Sequence, residues 1–134
     1  MSQTPGAVHA AIVAAVEAVT GLTEATVPWS LDTFPGSQHD GGFMVIPDSD
    51  DGGVFAGGGL STSLRFVAYL PWRLTGAPNT AAQACADKVH ALRKALLGTL
   101  GAGRCTFGPA AYTLTQDGHV LIASVPIAAV VYLD

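Results

Sequence analysis

The chain has 134 residues, 49% of them hydrophobic and only 12% charged, with a formal net charge of −4. That is too apolar for a disordered polypeptide and long enough for one domain that buries roughly two-thirds of its unfolded surface. The six basic residues, Arg65, Arg73, Lys88, Arg93, Lys94 and Arg104, form no stripe of the kind that grips nucleic acid, and no apolar run approaches the roughly 20 residues of a membrane-spanning helix.

The sparse charge is informative in itself. A free monomer normally covers itself with Lys and Glu, whereas this chain uses Ala, Gly, Ser and Thr, which are easily buried against a partner. This points to a homo-oligomer, with thermal adaptation or GC-rich codon bias as the alternative source of such a composition. The start, with Pro5 and Gly6 and no basic segment, does not read as a secretory leader, so synthesis and residence in a cytoplasm are the default. Cys85 and Cys105 have no C-x-x-C partner and read as buried free thiols, although the sequence leaves their pairing open.

Thr4-Pro5 opens a first helix: a hydroxyl caps the free amides and proline takes the first helical position. Val8, Ile12, Ala15, Val16 and Val19 then form one apolar stripe, which Gly21 ends. Val27-Pro28-Trp29-Ser30-Leu31 alternates like a short edge strand. Phe43-Met44-Val45-Ile46, stopped by Pro47, reads as a buried strand. The Asp- and Gly-rich stretch at about 47–60 reads as a flexible loop. From Leu60 to Trp72 the pattern has period two: Leu60, Thr62, Leu64, Phe66, Ala68 and Leu70 on one face, Ser61, Ser63, Arg65, Val67 and Tyr69 on the other. Asn79 is expected to cap a second helix, with Ala82, Cys85, Val89, Leu92 and Leu96 inward and Arg93 and Lys94 complementing the dipole of its last turns. Phe107–Thr115 and His119–Leu133 flank the turn Gln116-Asp117-Gly118 as a hairpin, with Pro126 implying an edge or a bulge. The expected fold is α+β, a small, mostly antiparallel sheet packed by two helices in the order α-β-β-β-α-β-β, forming one domain over residues 1–134.

Chemistry is harder to find. Asp48, Asp50 and Asp51 are spaced somewhat like a calcium loop, but Gly59 stands where the closing bidentate acid should be. His9, His39, His90 and His119 have no metal-ligand spacing and read as surface residues. The glycine runs lack the Gly-Lys-Ser/Thr of a phosphate loop. No nucleophile sits beside a base in a recognisable arrangement, so no enzyme activity, cofactor or metal is expected. Trp72 reads equally as a lid on the core or as a contact anchor, its register placing it beyond the oily face.

The leading helix, the long polar insertion, the segment Leu64-Arg65-Phe66-Val67-Ala68-Tyr69, the Ala-rich helix after it and the closing hairpin together resemble the tail terminator and related tail-completion and neck proteins of tailed bacteriophages. The resemblance spans nearly the whole chain and rests on element order, with the R-F-x-x-Y-type strand and its following helix as the most specific part. It implies a structural virion protein at the head–tail junction, assembled in the host cytoplasm as a homo-hexameric ring. Such a ring caps the head-proximal end of the tail tube, ends its polymerisation and joins it to the head connector. Its partners would be the tube protein and the neck proteins. DNA would pass through without specific binding, and no membrane is involved. Under this reading Asp48, Asp50 and Asp51 face a lumen or a neighbour, and Arg65, Tyr69 and Trp72 lie at subunit contacts. A neck stopper or head-completion protein is the related alternative; a small non-viral ligand-binding domain is the alternative from another class.

Overall fold

A computed structural model describes residues 4–26, 29–30, 42–50, 52, 54–56, 59–101, 103–116 and 118–133. The fold is α+β. Its elements are α1 (Pro5–Thr20), β1 (Met44–Asp50), β2 (Val54–Ala56), β3 (Gly59–Arg73), α2 (Pro78–Leu100), β4 (Cys105–Phe107), β5 (Ala111–Leu114) and β6 (Val120–Leu133). All six strands join one antiparallel sheet, ordered β1-β3-β6-β4, with β2 continuing the β1 side along β3 and β5 continuing the β4 side along β6.

The helix termini show which local signals operate. Thr4 caps α1, its Oγ1 accepting from the Ala7 amide at 3.1 Å, and Gly21 ends the helix in the left-handed region at φ 72°. In α2 the expected Asn79 cap does not form. Proline, with fixed φ and no N–H to lose, takes the first turn at Pro78, so Ala77 is the N-cap and supplies no side-chain bond. The helix also runs through Gly98 and stops at Gly101, leaving Arg93 and Lys94 short of the last turn. Arg93 works elsewhere: its Nη2 donates to the Gly108 carbonyl at 3.0 Å, and its guanidinium lies 6.0 Å from the Phe107 ring centroid.

Both helices cover one face of the sheet. Val8, Ile12, Ala15 and Val16 of α1 and Cys85, Val89, Leu92, Leu96 and Leu100 of α2 meet Phe66, Ala68 and Leu70 of β3 and the odd-numbered Ala123–Val131 face of β6. The period-two reading of β3 therefore holds. Trp72 does not: it shares the core face, half-buried and packed against that cluster. A second, smaller cluster lies on the opposite face, where Trp29 covers Val120 and Ile122 with Ala25, Met44 and Tyr69 around it.

The strand expectations need four corrections. The first arm of the closing hairpin, expected as one strand over Phe107–Thr115, is two short strands, β4 and β5, separated at 108–110, so three strands rather than two follow α2. Of the edge strand expected at Val27–Leu31 only Trp29 and Ser30 are described, and neither is in a strand. Among the described residues, pairing in this region is at 23–25, where Ala25 N donates to Phe43 O and Phe43 N to Thr23 O, each at 2.9 Å, in a parallel bridge between Glu24 and Phe43. The stretch at 47–60 is not a loop throughout, because β1 continues to Asp50 and β2 pairs with β3. Finally, β1 is an edge strand with Ile46 43% exposed, while β6, despite Pro126, is central.

Backbone direction explains how two prolines fit in paired strands. Pro126 O accepts from Gly108 N at 3.1 Å, so Pro126 faces away from β3 and towards the gap between β4 and β5. Its missing N–H falls where the neighbouring ladder is interrupted. By alternation, Pro71 of β3 faces away from β6, on the side where β1 reaches only as far as Tyr69.

Candidate functional site

The sequence-selected residues fall into two places. Asp48, Asp50 and Arg65 meet at one groove of about 550 Å³ between the N-terminal turn of α1 and the β1–β3 ladder, lined also by His9, Ser49 and Phe66. Tyr69 and Trp72 do not join them. Tyr69 packs edge-on against Trp29, with ring centroids 6.1 Å apart, and Trp72 lines a separate groove beside the N-terminus of α2. Asp51 lies outside the described residues, as does His39.

The groove is shaped by a β-bulge. Pairing runs Pro47↔Phe66 and then Ser49↔Arg65, so Asp48 is the extra residue on β1. A bulge bends its strand and redirects the side chain it carries. Asp48 and Asp50 are exposed here, and Asp50 Oδ1 accepts from the Gly52 amide at 2.8 Å, which holds the turn after β1. Arg65 stands exposed opposite Ser49 on β3, the strand next to the edge, so charges of both signs line the groove.

His9 is the residue that sequence reasoning misplaced on the surface. It is half-buried, and its Nε2 lies 2.8 Å from the Val45 carbonyl. A carbonyl can only accept, so Nε2 carries the proton in this contact. The ring sits 5.9 Å from that of Phe66, tilted by 49°. The spacing 9, 12, 16 places His9 on the rim of the α1 stripe, which was the available signal; its partner, 36 residues away, was not visible. The arrangement ties α1 to an edge strand and offers a shallow, mostly apolar trough, with Phe66 and Leu64 in its wall and Asp48, Asp50 and Arg65 among its polar groups.

Among the described residues no group of three or more His, Cys, Asp or Glu could hold a metal ion. Cys85 and Cys105 are free and buried in the main core. Burial pushes the Cys85 thiol up to about 11 and raises that of Cys105. Because the folded state holds the neutral thiol, Cys85 contributes stability that is intact below pH 9 and is lost as pH rises towards 11. Urea unfolding is expected to weaken across that window with a slope of up to about 1.4 kcal/mol per pH unit from this group. Cys85→Ala should flatten the slope, and an unchanged slope would show that the thiol does not carry it.

Comparison with models of known protein families finds no match to this chain, and comparison with curated proteins finds none either.

Proposed function

We propose that this chain is a structural component of a tailed-phage particle, a subunit of a ring that caps the head-proximal end of the tail tube and joins it to the head connector. The observation that carries the reading is the one-sided sheet. Both helices pack one face, while on the other Ile46 is exposed and Val67, Pro126, Ala128 and Val130 are half-exposed. Among the described residues, the second cluster closes only the end of that face around Trp29. An open apolar sheet face of this kind is suited to contact with another subunit. The element order that resembles tail terminators adds the particular role.

In this account Asp48 and Asp50 at the β1 edge, with Arg65 on the adjoining β3, form the charged margin of the subunit, which meets a neighbour or lines the lumen. Carboxylates on an inner wall would let DNA pass by repelling its phosphates. Tyr69 and Trp72 act mainly within the subunit, supporting the surfaces that neighbours contact. A neck stopper would use the same surfaces one position along the head–tail axis.

The carboxylate margin can be tested separately from folding. Asp48→Lys alters an exposed side chain and is expected to leave unfolding free energy within about 0.5 kcal/mol of wild type. The same variant should cap fewer tail tubes in negative-stain micrographs. Undiminished capping would remove Asp48 from the contact.

The groove itself favours a second reading, a ligand-binding domain. At about 550 Å³ it falls within the range of small-molecule sites, and His9, Asp48, Asp50 and Arg65 supply polar groups around an apolar wall. A small molecule that raises the melting temperature of wild type but not of a His9→Ala, Arg65→Ala variant would favour this reading over the ring.

A further inference from the structure

The two edges of the sheet are built differently. On one, β1 carries Pro47, the bulge at Asp48 and the exposed carboxylates of Asp48 and Asp50. These are the devices by which an edge strand avoids pairing with another chain. On the other, all four residues of β5 are exposed, with Tyr112 44% and Leu114 54% accessible, and Ala111-Tyr112-Thr113-Leu114 contains neither charge nor proline. An uncharged, apolar edge of this kind is a template for another strand.

Its backbone is oriented for the purpose. Thr115 N donates to Val120 O at 2.9 Å, which directs Thr115, and by alternation Thr113 and Ala111, towards β6. The N–H and C=O groups of Tyr112 and Leu114 therefore point out of the sheet. Their side chains share the helix-side face, since Tyr112 pairs with Ala123 and Leu114 with Leu121.

We propose that two copies of the free protein pair through β5, antiparallel and about a two-fold axis at Thr113, so that their sheets join edge to edge. The strand is self-complementary in that register. Tyr112 of each copy stands opposite Leu114 of the other, with both outward backbone groups exchanged in each of these pairs. The result is two aromatic–aliphatic cross-strand pairs on one face. The absence of charge along β5 means that its apposition to itself brings no repulsion. Because the pairing is isologous, each β5 edge is both donor and receiver in the same contact, so it closes as a pair. This pairing goes beyond the ring reading and uses none of the residues on which that reading rests; it describes the protein before it meets a tube.

Thr113 supplies the most specific test. At the axis, Thr113 faces its own copy in a non-hydrogen-bonded pair with a Cα separation of about 4.5 Å, inside disulfide range. The full chain carrying Thr113→Cys is expected to form a covalent dimer under mild oxidation. Ala111→Cys should not, because the two copies of that position are about 14 Å apart along the strands at ~3.4 Å per residue. In sedimentation equilibrium, wild type should be dimeric at micromolar concentration, and Leu114→Lys should weaken dimerisation at least tenfold. A wild-type monomer throughout that range would overturn the proposal. So would cross-linking through Ala111→Cys in place of Thr113→Cys, or a dimer indifferent to Leu114→Lys.

Discussion

Phe43→Ala is expected to lower the free energy of unfolding by about 3–5 kcal/mol, the usual cost of deleting a buried aromatic side chain. Phe43 is wholly inaccessible and ranks among the largest fully buried side chains of the core. It also lies in the parallel bridge to Glu24, so its ring fills the core at the point where the segment after α1 joins the sheet. The neighbourhood consists of close-packed strand and helix side chains and should collapse little around the void. Phe43→Leu, which retains more of the volume, should cost clearly less. Urea unfolding of both variants checks this, and a loss below about 1 kcal/mol for the alanine variant would mean that the site relaxes far more than a native core does.

Gly42→Ala is expected to destabilise by the opposite physics, overpacking, at about 1–3 kcal/mol. A Cβ at this position would stand 2.6 Å from Ala25 Cα and 2.8 Å from Ala25 Cβ. The obstruction is backbone, so no side-chain rotation relieves it, and the 23–25 segment must move away from the sheet. That movement should be visible locally. The Gly42 carbonyl accepts from Trp29 Nε1 at 3.0 Å, and Trp29 is the lid of the smaller cluster over Val120 and Ile122. Displacement of Gly42 should therefore expose Trp29 and shift its fluorescence to longer wavelength, read in a Trp72→Phe background so that only one tryptophan emits. Phe43→Ala should cost more stability and shift that emission less. A Gly42→Ala protein with wild-type stability and unshifted emission would contradict the close approach to Ala25.

Some of this architecture was legible in the residues themselves. Thr4-Pro5 and the 8, 12, 15, 16 stripe defined α1 because capping and helical period are local properties. The alternation from Thr62 to Leu70 defined β3 because one face of that strand is buried and the other is not. Legibility failed where a local signal has two tertiary solutions. Proline reads as an edge or a stop, yet Pro126 sits in the central strand because its nitrogen faces the gap between β4 and β5. Pro47 and Asp48 resemble the start of a loop, and a bulge with one extra residue disrupts the period that would have marked a strand. Val27–Leu31 carried alternation, but Trp29 is drawn instead onto the outer face of the sheet. As for the groove, Asp48, Asp50 and Arg65 stand out in the sequence only as charged positions; their convergence with His9 depends on how α1 lies along β1, which no sequence spacing encodes.

The asymmetry of the sheet is the physical basis of the functional account. Among the described residues, helices bury one face, the other is partly open, β1 is charged and kinked, and β5 on the opposite edge is uncharged. This is the surface on which the proposed ring contacts rest. Negative-stain electron microscopy of the purified chain mixed with tail tubes tests this most directly: the account predicts six-fold rings seated on one end of each tube, with tube growth stopped at that end. Tubes that keep elongating, beside particles that remain solitary and stay off their ends, would contradict it.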